Sequence, residues 1–142
     1  MKAENIVGTW RGIGHDVTAR DGTVTHPHGK NHPAYIIYSP DGYMALVATR
    51  ANRKKFTSPV SGRDISGATL EEKAEAAEGC VAYFGSYEVK GDRVIHHIKV
   101  SLFPNWVGTS QERFAELEGG RLTLSMSPDK DGAIARVYWE RI

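Results

Sequence analysis

Residues 81–102 read Val81-Ala82-Tyr83-Phe84-Gly85-Ser86-Tyr87-Glu88-Val89-Lys90-Gly91-Asp92-Arg93-Val94-Ile95-His96-His97-Ile98-Lys99-Val100-Ser101-Leu102. Two runs of β-branched and aromatic residues flank Lys90-Gly91-Asp92. Glycine takes positive φ at little steric cost and aspartate hydrogen-bonds locally, so this tripeptide is a tight turn. Strands joined by so short a turn pair antiparallel. The stretch predicts a hairpin of about 81–90 and 92–102.

The same punctuation recurs in both directions. Asp21-Gly22, Pro40-Asp41-Gly42, Gly119-Gly120 and Asp129-Lys130-Asp131-Gly132 separate further runs. These predict strands at about 8–20, 22–27, 34–39, 42–49, 110–118, 121–127 and 133–141. Eight or nine strands in up-and-down order, mostly without helices between them, predict an all-β antiparallel barrel. Closure removes the two unpaired edges that a flat sheet of that size would expose. One segment reads as a helix, about 69–79. Thr69-Leu70-Glu71-Glu72 fits a capping box, with Thr69 at the N-cap and Glu72 at N3. Leu70, Ala74 and Ala77 share one face, and Gly79 suits the C′ position. A stripe that is mostly alanine buries little, so the helix is expected to lie across one end or flank. Residues 50–66, rich in Gly, Ser, Pro and basic side chains, read as a mobile loop.

The 142 residues fit one domain, 1–142. Eighteen Lys and Arg against seventeen Asp and Glu leave a formal charge of +1. That balance argues against a nucleic-acid or membrane-surface binder, and the cluster Arg50, Arg53, Lys54, Lys55 is too short to alter it. The single cysteine, Cys80, excludes an internal disulfide and a cysteine-based zinc site. No apolar run approaches the ~18 residues of a membrane span. Met1-Lys2-Ala3-Glu4-Asn5 lacks the apolar region of a signal peptide. The expectation is a cytoplasmic barrel, with homo-oligomerisation left open. No Walker A loop, dinucleotide fingerprint or nucleophile elbow is present, and no cofactor is expected.

Alternation assigns side chains to faces. Val94, His96, Ile98, Val100 and Leu102 form the more apolar face of their strand, which places His96 inside and His97 outside. The inward set of 81–89 is Val81, Tyr83, Gly85, Tyr87 and Val89. Leu122, Leu124 and Met126 point inward, as do Ala135, Val137 and Trp139. Three carboxylates on the other face of this strand, Glu112, Glu116 and Glu118, place Arg113 inside. If Trp10 points inward, so do Gly12, Gly14 and Asp16. Two inward glycines either open a cavity or mark bends. One β-bulge inverts every assignment beyond it.

These residues resemble a family. Asn5-Ile6-Val7-Gly8-Thr9-Trp10-Arg11 is similar to the Gly-x-Trp entry of lipocalins and related calycin barrels. Tyr38-Ser39-Pro40-Asp41-Gly42-Tyr43-Met44, Gly85-Ser86-Tyr87-Glu88-Val89, Val94-Ile95-His96-His97, Ser101-Leu102-Phe103-Pro104-Asn105-Trp106-Val107-Gly108-Thr109 and Trp139-Glu140-Arg141-Ile142 extend the match. Together they resemble the bacterial and fungal lipocalin-like domain family over nearly the whole chain. The resemblance implies a calycin-like barrel and no single activity; some members accompany natural-product pathways. It also implies that Trp10 closes one end with Arg141 stacked on it, a cation–π contact of ~0.5–2 kcal/mol.

The chemistry expected of the interior follows from its polar residues. His96, with Tyr87 as hairpin neighbour and Asp16 as a desolvated base, is the candidate acid–base group. Arg113 is the candidate anchor for a carboxylate or enolate. Gly12, Gly14, Tyr83, Ile98, Leu124, Met126, Trp106 and Trp139 are the expected ligand wall, with Trp106 either covering the mouth or plugging a gap. The same polar residues also fit a structural network in which each satisfies another. His26-Pro27-His28 with His32 has a ligand-like spacing but no nearby carboxylate or cysteine, and reads as a polar loop with no metal. The first reading is a barrel that binds a small, mostly apolar organic molecule with a polar or acidic group. The alternative is a cofactor-independent isomerase, cyclase or hydrolase acting on such a molecule.

Overall fold

A computed structural model describes residues 1–57 and 62–142. The strands are β1 (Gly8–Thr18), β2 (Val24–Thr25), β3 (Ala34–Tyr38), β4 (Tyr43–Thr49), β5 (Cys80–Lys90), β6 (Arg93–Ser101), β7 (Ser110–Glu118), β8 (Arg121–Ser125) and β9 (Ile134–Arg141). β1 pairs antiparallel with β3, each strand from β3 onward pairs antiparallel with the next, and β1 pairs with β9 to close an eight-stranded barrel. β2 is a two-residue stub on β1, shorter than the strand expected over 22–27.

The two ends of the barrel differ. At one end the turns are short: Pro40-Asp41-Gly42, Gly91-Asp92 and Gly119-Gly120. The chain adds a short helix there, α1 (Ala3–Ile6), which the sequence did not suggest. Ile6 is fully buried, and the Trp10 indole N–H donates to its carbonyl at 2.8 Å. Arg141 stacks on the Trp10 ring with its guanidinium carbon 4.2 Å from the centroid, and donates to the carbonyls of Asn5 and Val7. Those carbonyls end α1 and have no partner within it. This end is closed. The other end carries the long connections that leave β2, β4 and β6; of the second, residues 50–57 and 62–79 are described.

The helix α2 (Leu70–Glu78) starts with the expected capping box. Thr69 Oγ1 accepts from the Glu72 amide at 3.1 Å, and a Glu72 carboxylate oxygen accepts from the Thr69 amide at 3.2 Å. Two details differ from expectation. Gly79 stands at the C-cap with φ −89°, not in the left-handed region of a C′ glycine. No residue of α2 is buried, and Leu70 is 84% exposed. Polar contacts from the preceding loop hold the helix instead: Arg53 donates to the Ala76 carbonyl, and the Thr57 amide donates to Glu72. Of the loop expected over 50–66, residues 58–61 lie outside the described residues, and the rest contains no helix or strand.

Two bulges decide which side chains face inward. On β6 the register against β5 shifts between Phe84 and Gly85, so Gly85 opposes Ile98 while Phe84 opposes Val100. Val94, His96 and Ile98 are buried as expected, but Val100 is 64% exposed and Leu102 also faces out. Lys99 is the extra residue, and it inverts the alternation beyond it. Gly85 makes the close approach possible: a Cβ there would sit 2.0 Å from the His97 carbonyl oxygen. On β1 the register against β9 shifts between Gly12 and Gly14, leaving Ile13 unpaired. Gly12 opposes the inward Trp139, whereas Gly14 opposes Tyr138 and Asp16 opposes Arg136 on the outer face. The expectation that Gly14 and Asp16 point inward is therefore corrected; His15, opposite Val137, points inward in their place.

Candidate functional site

A cavity of about 120 Å³ lies in the open half of the barrel. Its walls are mostly apolar. Leu46 and Ala48 come from β4, Val81 from β5, Leu124 and Met126 from β8 and the turn after it, and Val137 and Trp139 from β9. Trp106, on a 3₁₀ turn at Pro104–Trp106, adds an aromatic wall and meets the Tyr83 ring edge-on at 5.6 Å. Phe103 braces it from outside at 4.9 Å.

Three polar side chains from adjacent strands enter this apolar space: Tyr83 from β5, His96 from β6 and Arg113 from β7. His96 is fully buried. Its Nε2 lies 2.8 Å from the Tyr38 hydroxyl and its Nδ1 lies 2.9 Å from the Tyr83 hydroxyl. A neutral imidazole offers one donor and one acceptor. Tyr38 is also fully buried and does not line the cavity, and among the described residues its hydroxyl has His96 as its one hydrogen-bond partner. We therefore assign Tyr38 O–H as donor to Nε2 and Nδ1–H as donor to the Tyr83 oxygen. That leaves the Tyr83 O–H free to serve a molecule in the cavity.

Burial, then the Arg113 charge and His97, hold His96 down at about 3, so its ring is neutral at ordinary pH. Burial pushes Tyr83 up to about 12, with Arg113 opposing it, and pushes Tyr38 well above the usual phenol range. Arg113 is 9% exposed, and its Nη1 donates to the Glu112 carbonyl at 2.8 Å. Among the described residues no carboxylate forms an ion pair with it.

The expected site residues separate as follows. Tyr83, His96, Arg113, Leu124, Met126, Trp106 and Trp139 come together around the cavity. Tyr87 does not: it opposes His96 in register as expected, but its hydroxyl donates to the Ser39 carbonyl at 2.9 Å toward the closed end. Ile98 packs in the core and does not reach the cavity. Gly12 leaves no space either, because a Cβ there would meet the Ala34 Cβ at 2.7 Å and the Trp139 ring at 3.4 Å. Its absent side chain lets β3 and Trp139 close in. Asp16 lies on the outer face, close enough to Tyr138 to add to burial in raising that phenol. Of the three candidate acid–base residues, only His96 reaches the cavity, and both of its nitrogens are engaged.

Sequence reasoning singled out His28 and His32 as a polar loop and missed their partner at the mouth, His15. His15 from β1 meets His28 and His32, both from the connection between β2 and β3, and all three line the cavity. Left-handed backbone at Gly29 and Asn31 curls this connection back on itself. The three ring centroids form a near-equilateral triangle with sides of 5.2, 5.6 and 5.8 Å. Burial lowers all three pKa values, His15 to about 4, with the neighbouring imidazoles adding to it at His15 and His32 and Arg50 adding to it at His28. His26, which the spacing grouped with His28 and His32, instead places its Nδ1 3.0 Å from the His15 carbonyl.

A family model described as a lipocalin-like domain matches residues 7–142. The chain belongs to this family. A curated relative, the 4'-hydroxy-3'-methoxypropiophenone carrier protein ppsC of Aspergillus oryzae, is 38% identical over 72 residues. That alignment spans 45% of this chain and 65% of the relative. A solved lipocalin-like protein from Bacteroides uniformis is 12% identical with a TM-score of 0.50, covering 97% of this chain and 99% of its own. A protein from Bacteroides eggerthii is 13% identical with a TM-score of 0.47, covering 95% and 98%. With the Bacteroides uniformis protein this chain shares the fold alone. Among the described residues no helix is long and apolar enough to cross a membrane.

Proposed function

We propose that this lipocalin-like barrel binds a small aromatic or otherwise apolar molecule through one acceptor oxygen, held by Arg113 and the free Tyr83 hydroxyl. The observation that carries the reading is Arg113 itself, a buried guanidinium in an apolar cavity with no carboxylate partner among the described residues. Burying a charge is costly unless it is paired. A carbonyl, phenolate or carboxylate oxygen from a ligand would pair it. The volume sets the scale: about 120 Å³ here, against ~150 Å³ for a cavity that takes up benzene. One ring fills the interior, and substituents leave through the mouth. The Aspergillus relative is named as the carrier of a phenyl ketone, a ring with a carbonyl oxygen, which supports the same chemistry.

The catalytic alternative finds less support. General acid–base work needs a group that exchanges protons near neutral pH. His96 is held at about 3 and hydrogen-bonded on both sides, and Asp16 and Tyr87 are elsewhere. Binding and release without chemistry is the function we assign. Trp106 and Trp139 line the cavity, so tryptophan fluorescence reports occupancy. Titration with propiophenone and with propylbenzene compares a ring bearing a carbonyl with one lacking it. A charge-assisted hydrogen bond predicts that the ketone binds ~10–100-fold tighter. In Arg113→Met that gap should close. Equal affinities in the parent protein overturn the reading, and so does turnover of the ketone.

A further inference from the structure

We propose that His15, His28 and His32 form a binding site for one divalent transition-metal ion of the zinc class at the mouth of the barrel. One ring nitrogen from each lies within 4.8 Å of the other two. His15 Nδ1 and His28 Nδ1 are 3.3 Å apart. Two nitrogens bound to zinc at ~2.0–2.1 Å in tetrahedral geometry stand about 3.3–3.4 Å apart, the same separation. His32 is 5% exposed, and its Nδ1 is buried without a hydrogen-bond partner. A buried polar nitrogen left unpaired is destabilising unless a further group satisfies it. Burial lowers all three imidazoles from their ordinary range, which favours the neutral form that ligates a metal.

Three imidazoles and no cysteine suit zinc, cobalt, nickel or copper and exclude the hard-oxygen preferences of calcium and magnesium. Three protein ligands also leave a tetrahedral ion one open position, as in sites where a fourth ligand exchanges. Here all three histidines line the cavity. The open position therefore goes to water or to an oxygen donor of a molecule in the cavity. Arg50, whose charge acts on His28, opposes a cation, but its side chain is exposed and screened by solvent. The site needs no assumption about the organic ligand or about Arg113.

The test titrates metal-free protein with zinc against a chromophoric chelator, and separately with cobalt while recording the visible spectrum. We expect one equivalent of zinc bound with Kd of ~1 μM or tighter, a strength within reach of three preplaced imidazoles. Cobalt should give the intense bands of a four-coordinate ion. His28→Ala, on the half-buried loop, and His32→Gln should each weaken zinc by ~30-fold or more, since each removes one ligand of three. His26→Ala, which removes a neighbouring histidine outside the triangle, should leave affinity unchanged. Parent affinity weaker than ~100 μM, weak octahedral cobalt bands, or equal affinity in parent and His28→Ala each overturn the proposal. The cobalt spectrum is read on the parent protein, so the outcome stands even if a variant fails to fold.

Discussion

The Tyr38 hydroxyl lies 2.8 Å from His96 Nε2, and both side chains are fully buried. Tyr38→Phe keeps the ring and removes the donor, leaving an imidazole nitrogen unpaired in the core. The expected loss is ~1–3 kcal/mol in urea unfolding. Tyr83→Phe removes the partner on the other nitrogen, at a cavity wall that water can reach. It should lose less stability and should weaken ligands that carry an acceptor oxygen. A larger stability loss for Tyr83→Phe would reverse the proton assignment on His96.

Acid should destabilise the barrel before its carboxylates titrate. His96 is held at about 3 in the fold, below its ordinary 6.5, by burial, Arg113 and His97, with Tyr38 and Tyr83 as its hydrogen-bond partners. Between those values the unfolded chain carries a proton that the folded chain does not. The stability from the neutral ring is fully present above pH 6.5 and lost as pH falls toward 3. The loss should be on the order of a few kcal/mol by pH 4. His15, held at about 4, works in the same direction. Unfolding free energies at pH 8, 6, 5 and 4 measure the slope, which His96→Gln should reduce. An unchanged slope in that variant would mean that His96 titrates normally.

The glycines at the two bulges should respond differently. A Cβ at Gly85 meets backbone, the His97 carbonyl oxygen at 2.0 Å and its carbon at 2.8 Å. Gly85→Ala should lose ~3 kcal/mol or more, because main chain must move. At Gly14 the nearest atom is the Tyr138 ring at 3.4 Å, outside the barrel. Gly14→Ala should change Tm by only a few degrees and leave ligand affinity alone. Thermal melts of the pair, with one fluorescence titration of Gly14→Ala, decide this.

Arg141→Met should destabilise the closed end without touching the mouth. It removes the stack on Trp10 and the hydrogen bonds to the Asn5 and Val7 carbonyls. Together these predict a loss of ~1–3 kcal/mol. Ligand affinity should be unchanged. A variant that melts like the parent would show that the α1 carbonyls are satisfied equally well by water.

The barrel was legible because its instructions are local. Turns such as Lys90-Gly91-Asp92 set strand limits within a residue or two, and Thr69 with Glu72 marked the helix start. Alternation placed His96, Tyr83 and Arg113 correctly because the extra residue of the β5–β6 bulge, Lys99, lies beyond His96 on β6 and leaves the alternation of β5 and β7 intact. It failed beyond Ile13 and Lys99, since a single extra residue inverts the faces and nothing in a lone sequence marks it. Gly12 and Gly14, which read equally as cavity space or as bends, mark a register shift. The histidine triangle was out of reach for another reason. It joins β1 to a connection shaped by left-handed backbone at Gly29 and Asn31, and such a juxtaposition is a property of the closed barrel.

Residue 1 contacts the Gly91 carbonyl through its amine, and the Ile142 amide donates to the Thr9 carbonyl. Both described chain ends therefore leave from the closed end, opposite the cavity mouth. Anything joined at either position, whether a linker, a fused domain or a solid support, departs away from the ligand's entrance. An immobilised barrel would present its mouth to the bulk solution. Capture and release could then be watched on a sensor surface with access equal to that of the free protein.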